Sequence, residues 1–227
     1  MPDLAPGVSV VIPARADEPF LAEAVDSALA QPETVQVVVG SFEPTGNTAQ
    51  WCAAHPDGRV RWARSTQACA GANTDAALAL TTASFVAFLD ADDRWPAGRL
   101  APALRALTGP PAAGLCLGWQ QAMDEAGTLL PHTAPAPLMS AAVATRATVD
   151  LVGPFGNDLA AQMRWLVRAR DLGVPTVRLE QVVMHRRAHG TNLTTVARPQ
   201  VHQSYLQLAR ERAAAARARD ANLDGQA

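Results

Sequence analysis

Phe85-Val86-Ala87-Phe88-Leu89-Asp90-Ala91-Asp92-Asp93-Arg94-Trp95 is the stretch that decides how this chain is read. Five apolar residues run without interruption into Asp90, which predicts a strand over 85–89 buried on both faces. Three carboxylates then follow directly on the strand end. Adjacent acids repel one another unless a cation or hydrogen bonds compensate. Carboxylate oxygens suit hard ions such as Mn2+ or Mg2+. An ion held by one or two of them completes its shell with water and diphosphate oxygens, and can stabilise a departing diphosphate as a Lewis acid. The alternative is an acidic turn ahead of the helix that begins at Pro96. A position at a strand end favours the ligand-binding reading.

Outward from this stretch, strands and helices alternate. Val8 to Ile12 is a β-branched run closed by Pro13, and reads as a buried parallel strand. Glu18 to Leu29 has its apolar residues at helical spacing. Val35 to Val39 is a strand, and the Gly-, Ser- and Pro-rich stretch 40–46 a turn. Thr48 to Ala54 suits a short helix, Arg59 to Ala63 a strand, and Gly71 to Leu80 a helix. Pro96 to about Leu107 follows the acids as a helix with proline in its first turn. Alternation of this kind predicts an α/β fold with a mostly parallel central sheet flanked by helices. Ligands of such sheets bind beyond the carboxyl ends of the strands, where Asp90 falls.

The second half is less regular. Leu115 to Trp119 reads as a strand and 131–137 as a crossing loop. A turn is expected at Pro154–Gly156, and a helix over Asp158 to Leu172 capped by Asn157 or Asp158. Thr176 to Leu179 and Val182 to His185 read as two short strands. Gln200 to Asp220 reads as a terminal helix whose Arg residues more often form a solvated face than a partner site.

Composition narrows the function. A net charge of −2 gives no electrostatic case for nucleic acid, although all 19 basic residues are arginine. Cys52, Cys69 and Cys116 are scattered and form no CxxC, which suggests a reduced, cytoplasmic protein without a disulfide framework or zinc site. MPDLAPG at the N-terminus lacks a basic segment followed by an apolar run, so no signal peptide is expected. No apolar run approaches the roughly 18 residues that span a bilayer.

Five segments, in order, resemble the family 2 glycosyltransferases, which adopt the GT-A (nucleotide-diphospho-sugar transferase) fold. They are Val8 to Pro13, Leu21 to Gln31, Gly71-Ala72-Asn73 with Ala76-Ala77-Leu78, Phe85 to Trp95, and Arg187-Ala188-His189-Gly190-Thr191-Asn192-Leu193. The resemblance covers about Val8 to Leu193. It implies one GT-A-like domain over 1–197, with a nucleotide-binding half of about 8–107 and an acceptor half of about 115–193, and a C-terminal helix and tail over 198–227. It further implies a nucleotide-diphosphate sugar as donor, UDP-type first among them, with Mn2+ or Mg2+ held by Asp90, Asp92 and His189. Asp93 would support the ion. Pro13, Arg15, Glu43, Asn73, Asp90 and Ala91 fall on the donor-binding side, and Trp95 on the acceptor side, where packing in the core is an equal alternative.

The chain departs from the family pattern at three places. The acidic pair that normally follows the second strand is replaced in Val37-Val38-Val39-Gly40-Ser41-Phe42-Glu43. A buried base N–H still needs an acceptor, and Glu43 or backbone carbonyls are the candidates. Ala72 stands where the family has an arginine; Arg15, just after the first strand, is the candidate substitute, with a solvated loop arginine as an equal alternative. Counting back from Trp165-Leu166-Val167-Arg168, the family's acceptor base falls on Ala161-Gln162, and neither residue takes a proton. Asp158 lies about one helical turn away and is the candidate base, with helix capping as the alternative. Two main functions therefore stand: a metal-assisted, inverting glycosyltransferase with an unknown acceptor, or an accessory pseudoenzyme that binds a nucleotide or a partner. A thiol or peptide acceptor, needing little deprotonation, is a third.

Overall fold

The computed structural model describes residues 5–43, 46–190 and 198–224. Its strands are β1 (Ala5–Ala14), β2 (Thr34–Ser41), β3 (Val60–Arg64), β4 (Ala83–Phe88), β5 (Leu115–Met123), β6 (Leu129–Pro135), β7 (Val143–Thr145) and β8 (Thr176–Arg187). Its helices are α1 (Leu21–Leu29), α2 (Asn47–Ala54), α3 (Ala70–Leu78), α4 (Leu100–Thr108), α5 (Arg146–Val152), α6 (Ala161–Asp171) and α7 (Arg198–Asp224). The strand order is β3-β2-β1-β4-β7-β5-β6, with β8 also paired to β5. β3, β2, β1 and β4 are mutually parallel. β7 runs against β4 and against β5, and β8 runs with β5. β8 thus points the same way as β1 and β4, so all three deliver their carboxyl ends to one edge.

Side chains alternate across this sheet as a period of two demands. Val10, Ile12, Val37, Val39, Ala87 and Leu89 pack on one face with Ala24, Val25 and Ala28 of α1 and Leu100 and Leu107 of α4. Val11, Val38, Val86 and Phe88 pack on the other with Ala77 of α3, Val149 of α5 and Trp165 of α6. Burial of both faces accounts for the continuous apolar runs in the sequence.

α3 sits unusually close to the turn before α6. A Cβ on Gly71 would lie 1.9 Å from the carbonyl oxygen of Gly156. The Asp75 carboxylate accepts the N–H groups of Phe155 and Gly156 at 2.8 and 3.1 Å. Gly71→Ala is therefore expected to destabilise the protein by about 1–3 kcal/mol through forced separation of backbones. A lower urea midpoint at unchanged slope would bear this out, and an unchanged midpoint would refute it.

The expected elements of the first half are present with shifted ends, and the second half needs corrections. The helix expected from Pro96 starts at Leu100, because Gly98 sits at φ +70°. The stretch 131–137 is no crossing loop: β6 pairs Ala134 and Thr133 with Gln120 and Gln121. Its prolines, Pro131 and Pro135, suit a strand at a sheet edge. β2 continues to Ser41, into the expected turn. The two short strands after Thr176 are one, β8, whose register against β5 shifts twice. β7 and α5 were not anticipated. Three residues are too few to show a period, and β7 is held by pairing on both sides.

Candidate functional site

The carboxyl ends of β1, β4 and β8, with α3, α6 and α7, enclose a cavity of about 630 Å³. Pro13, Arg15, Asn73, Asp90, Ala91, Asp92, Asp93 and Asp158 all line it. Eight sequence-nominated residues from four separate segments thus meet at one place.

The acid loop is held from both sides. The Asp90 N–H donates to Ser140 Oγ at 2.9 Å, and Gln162 Nε2 donates to Asp90 Oδ1 at 3.0 Å. The Arg94 N–H and the His185 N–H each donate to the other residue's carbonyl, at 3.1 and 2.7 Å, so the loop is stitched to β8. Asp93 Oδ1 accepts the Arg187 N–H at 3.0 Å. The buried Arg187 guanidinium donates to the Asp92 and Glu125 carbonyls at 3.0 and 2.7 Å, and to Glu23. It also stacks 4.2 Å from the Phe20 ring centroid, and Phe20 meets His189 with centroids 5.1 Å apart. His189 Nε2 lies 3.0 Å from Asp92 Oδ2.

Electrostatics mark the loop as short of positive charge. Burial, then the charge of Asp92, raises the Asp90 pKa against the hydrogen bonds from Gln162 and Ser140. Burial, then Asp90 and Asp92, pushes Asp93 well above the carboxylate range. Arg186, on the cavity wall, offsets part of this. A cation would lower all of these costs together. Among the described residues, no three His, Cys, Asp or Glu side chains are grouped closely enough to enclose one unaided. Any ion held here would take one or two carboxylates from the acid loop and the rest of its shell from a ligand and water.

Three nominated residues do not line the cavity: His189, which contacts Asp92, and Glu43 and Trp95. Glu43 is buried away from the cavity lining: its carboxylate accepts Ser41 Oγ at 2.6 Å and the Thr48 and Ala49 N–H groups at 2.7 and 3.2 Å. It caps α2, and its oxygens are already engaged. Trp95 is 3% exposed, and Arg99 lies 4.2 Å over its ring. Arg99 donates to the Ser140, Ala141 and Ala142 carbonyls, fixing the turn that presents Ser140 to Asp90. Trp95 belongs to that support and not to the cavity wall.

Asp158 is on the wall, three residues ahead of α6. It accepts the Ala160 N–H and pairs with Arg164, which also pairs with Glu211 of α7. The first helical residue is Ala161, so Asp158 stands in the approach to α6 and not in the helix. Gln162, facing Asp90, occupies the place where an acid was expected. Val201 and Tyr205 of α7 complete the wall. Sequence reasoning missed Ser140, Glu23 and Phe20, which have no motif and act through tertiary contact. Thr191 to Leu193 lie outside the described residues.

A family model described as "Glycosyl transferase family 2" matches residues 9–165. No curated protein sequence matches the chain. Among solved structures, TarS of S. aureus in complex with UDP-GlcNAc superposes with a TM-score of 0.69 at 16% identity, covering 84% of this chain and 61% of that one. A mannosyltransferase of Pyrobaculum calidifontis, PcManGT, in complex with GDP-Man and Mn2+, gives 0.60 at 22% identity, covering 81% and 59%. The chain spans about three fifths of these structures, whose likeness at such identities concerns the fold. No described helix is long and apolar enough to cross a membrane.

Proposed function

Because the chain belongs to glycosyl transferase family 2, we propose that it transfers a sugar from a nucleotide-diphosphate donor to an acceptor hydroxyl with inversion at the anomeric carbon. The observation that carries this reading is the convergence of Asp90, Asp92, Asp93, Asn73 and Asp158 on one cavity at the carboxyl edge of the sheet. The GT-A relatives with bound UDP-GlcNAc and GDP-Man support a nucleotide sugar as donor, and UDP-type donors are placed first.

Asp90, Asp92 and His189 would hold Mn2+ or Mg2+. When bound, the ion supplies charge stabilisation to the diphosphate as it leaves. The chain's own residues do the rest. Ser140 and Gln162 orient Asp90. Asp158 takes the proton of the acceptor hydroxyl as its oxygen bonds to the anomeric carbon and the bond to the diphosphate breaks. Gln162 cannot take that role, since a carboxamide has no basic site.

The decisive measurement is thermal unfolding with UDP, GDP, dTDP and CDP, each with and without Mn2+. At about 100 times Kd, a bound nucleotide stabilises by about 2.7 kcal/mol, a rise of roughly 5–10 °C for a chain of this size. Asp92→Ala is expected to abolish the Mn2+-dependent part. Wild-type protein that responds to none of the four nucleotides would sink the proposal.

A further inference from the structure

The cavity is not uniform in chemistry. Its acid loop is polar, but the wall built by α6 and α7 is largely apolar. Leu159 and Met163 line it from the approach to α6 and its first turn, and Val201 and Tyr205 line it from the start of α7. Each pair is four residues apart, the spacing that sets helical side chains over one another on one face. Leu159 is 39% exposed and Tyr205 40%, so both present surface to the cavity instead of closing a core. Phe42, Leu159 and Tyr205 are three of the nine large apolar or aromatic side chains that stand exposed among the described residues, and all three line this cavity. Such residues scattered singly are ordinary, but their convergence on one concave surface marks a ligand site.

This wall adjoins the chemistry. Leu159 follows Asp158, and Met163 follows Gln162, whose Nε2 donates to Asp90 Oδ1 at 3.0 Å. A group whose hydroxyl stands at Asp158 therefore meets Leu159 next. The charges across the α6–α7 contact are matched: Arg164 pairs with Asp158 and Glu211, and Arg212 with Asp171 at 3.0 Å. Neither arginine is a free cation that would select a phosphate. Buried Val201 and Leu208 seat α7, and Tyr205, one turn on from Val201, keeps its ring at the cavity. A hydroxyl-rich group laid on Leu159 and Met163 would leave water without gaining partners, whereas an apolar group gains by leaving it.

We infer that the acceptor is an alcohol carried on an apolar group, an aromatic ring or an alkyl chain, which lies against Leu159, Met163 and Tyr205 and brings its hydroxyl to Asp158. The inference rests on the donor and base readings above and adds to them the chemical class of the acceptor.

Isothermal titration with methyl, phenyl and octyl β-D-glucoside, in Mn2+ and UDP or GDP, tests this, because the three share one sugar and differ only in the attached apolar group. Wild-type protein is expected to bind the phenyl or the octyl compound at least about tenfold more tightly than the methyl one, a difference of about 1.4 kcal/mol. Tyr205→Ala and Leu159→Ser should each cut that preference to within about threefold. Both side chains are well exposed, so the variants should keep a urea midpoint close to that of wild type. Equal affinity for the three glucosides, or no binding of the phenyl and octyl compounds, would overturn the inference. So would a preference that survives in both variants. Wild-type protein that shows the preference but no Mn2+-dependent thermal shift with any of the four nucleotides would overturn the donor reading, and with it the assignment of this wall to an acceptor.

Discussion

Asp158→Asn is expected to lower turnover by roughly 10²- to 10⁴-fold, the usual contribution of a positioned general base, while Mn2+-dependent nucleotide affinity stays unchanged. The acceptor hydroxyl must lose its proton as it attacks, and the cavity offers few groups to receive it. Asp90 and Asp92 are the proposed ligands of the cation, and Gln162 donates to Asp90. Asp93 is buried and engaged by the Arg187 N–H. Asp158 is the remaining aspartate on the wall, and it stands in the loop that leads into α6. Its ion pair with Arg164 is part-exposed, and such a pair is worth about 0–1 kcal/mol. A large fall in turnover therefore could not be ascribed to unfolding. Release of free sugar from the donor into water is the readout, because water also has to be deprotonated and no acceptor need be known. If the Asp158→Asn variant hydrolyses donor at the wild-type rate, Asp158 merely prepares the start of α6 and another group is the base.

Much of this site could be read in the sequence because its chemistry is concentrated at strand ends. Val8 to Pro13 and Phe85 to Asp90 are apolar runs that stop abruptly, and both boundaries became walls of the cavity. The fold's parallel half was legible for the same reason: a strand buried on both faces reads as a near-continuous run of β-branched and other apolar residues. The edge strand β6 has no such signature, since most of its residues face water. β7 exists only because β4 and β5 flank it. The support of the acid loop was equally hidden. Ser140 and Glu23 lie 50 and 71 residues from Asp90 and Arg94, their respective partners, and an unremarkable Ser or Glu carries no periodic mark. Glu43 was misplaced for a related reason. An acid after a strand end can face a ligand or cap the next helix, and only the path of the chain to α2 separates the two outcomes.

Arg187→Met should cost about 3–5 kcal/mol of stability, measured by urea unfolding at neutral pH. The Arg187 side chain is 2% exposed, so its replacement acts on a buried, fully engaged cation. Its guanidinium ties together three segments far apart in sequence: Asp92 of the acid loop, Glu125 of the β5–β6 turn and Glu23 of α1. Methionine keeps most of the volume and the contact with Phe20, which separates the polar loss from a cavity effect. Two carbonyl oxygens and one carboxylate then lose a donor in or near the core. Glu23 has a second partner in Arg94, at 2.7 Å, so Glu23→Gln should cost much less, about 1 kcal/mol. The contrast between the two variants is the test. The Arg187 backbone N–H still reaches Asp93 in the methionine variant, and β8 still pairs with β5, so the sheet should survive the change. What loosens is the carbonyl of Asp92, and with it the orientation of the carboxylate beside His189. Metal-dependent nucleotide affinity should fall together with stability in Arg187→Met. An Arg187→Met protein within about 1 kcal/mol of wild type, the scale of one ordinary hydrogen bond, would mean that the loop holds its shape through β8 alone.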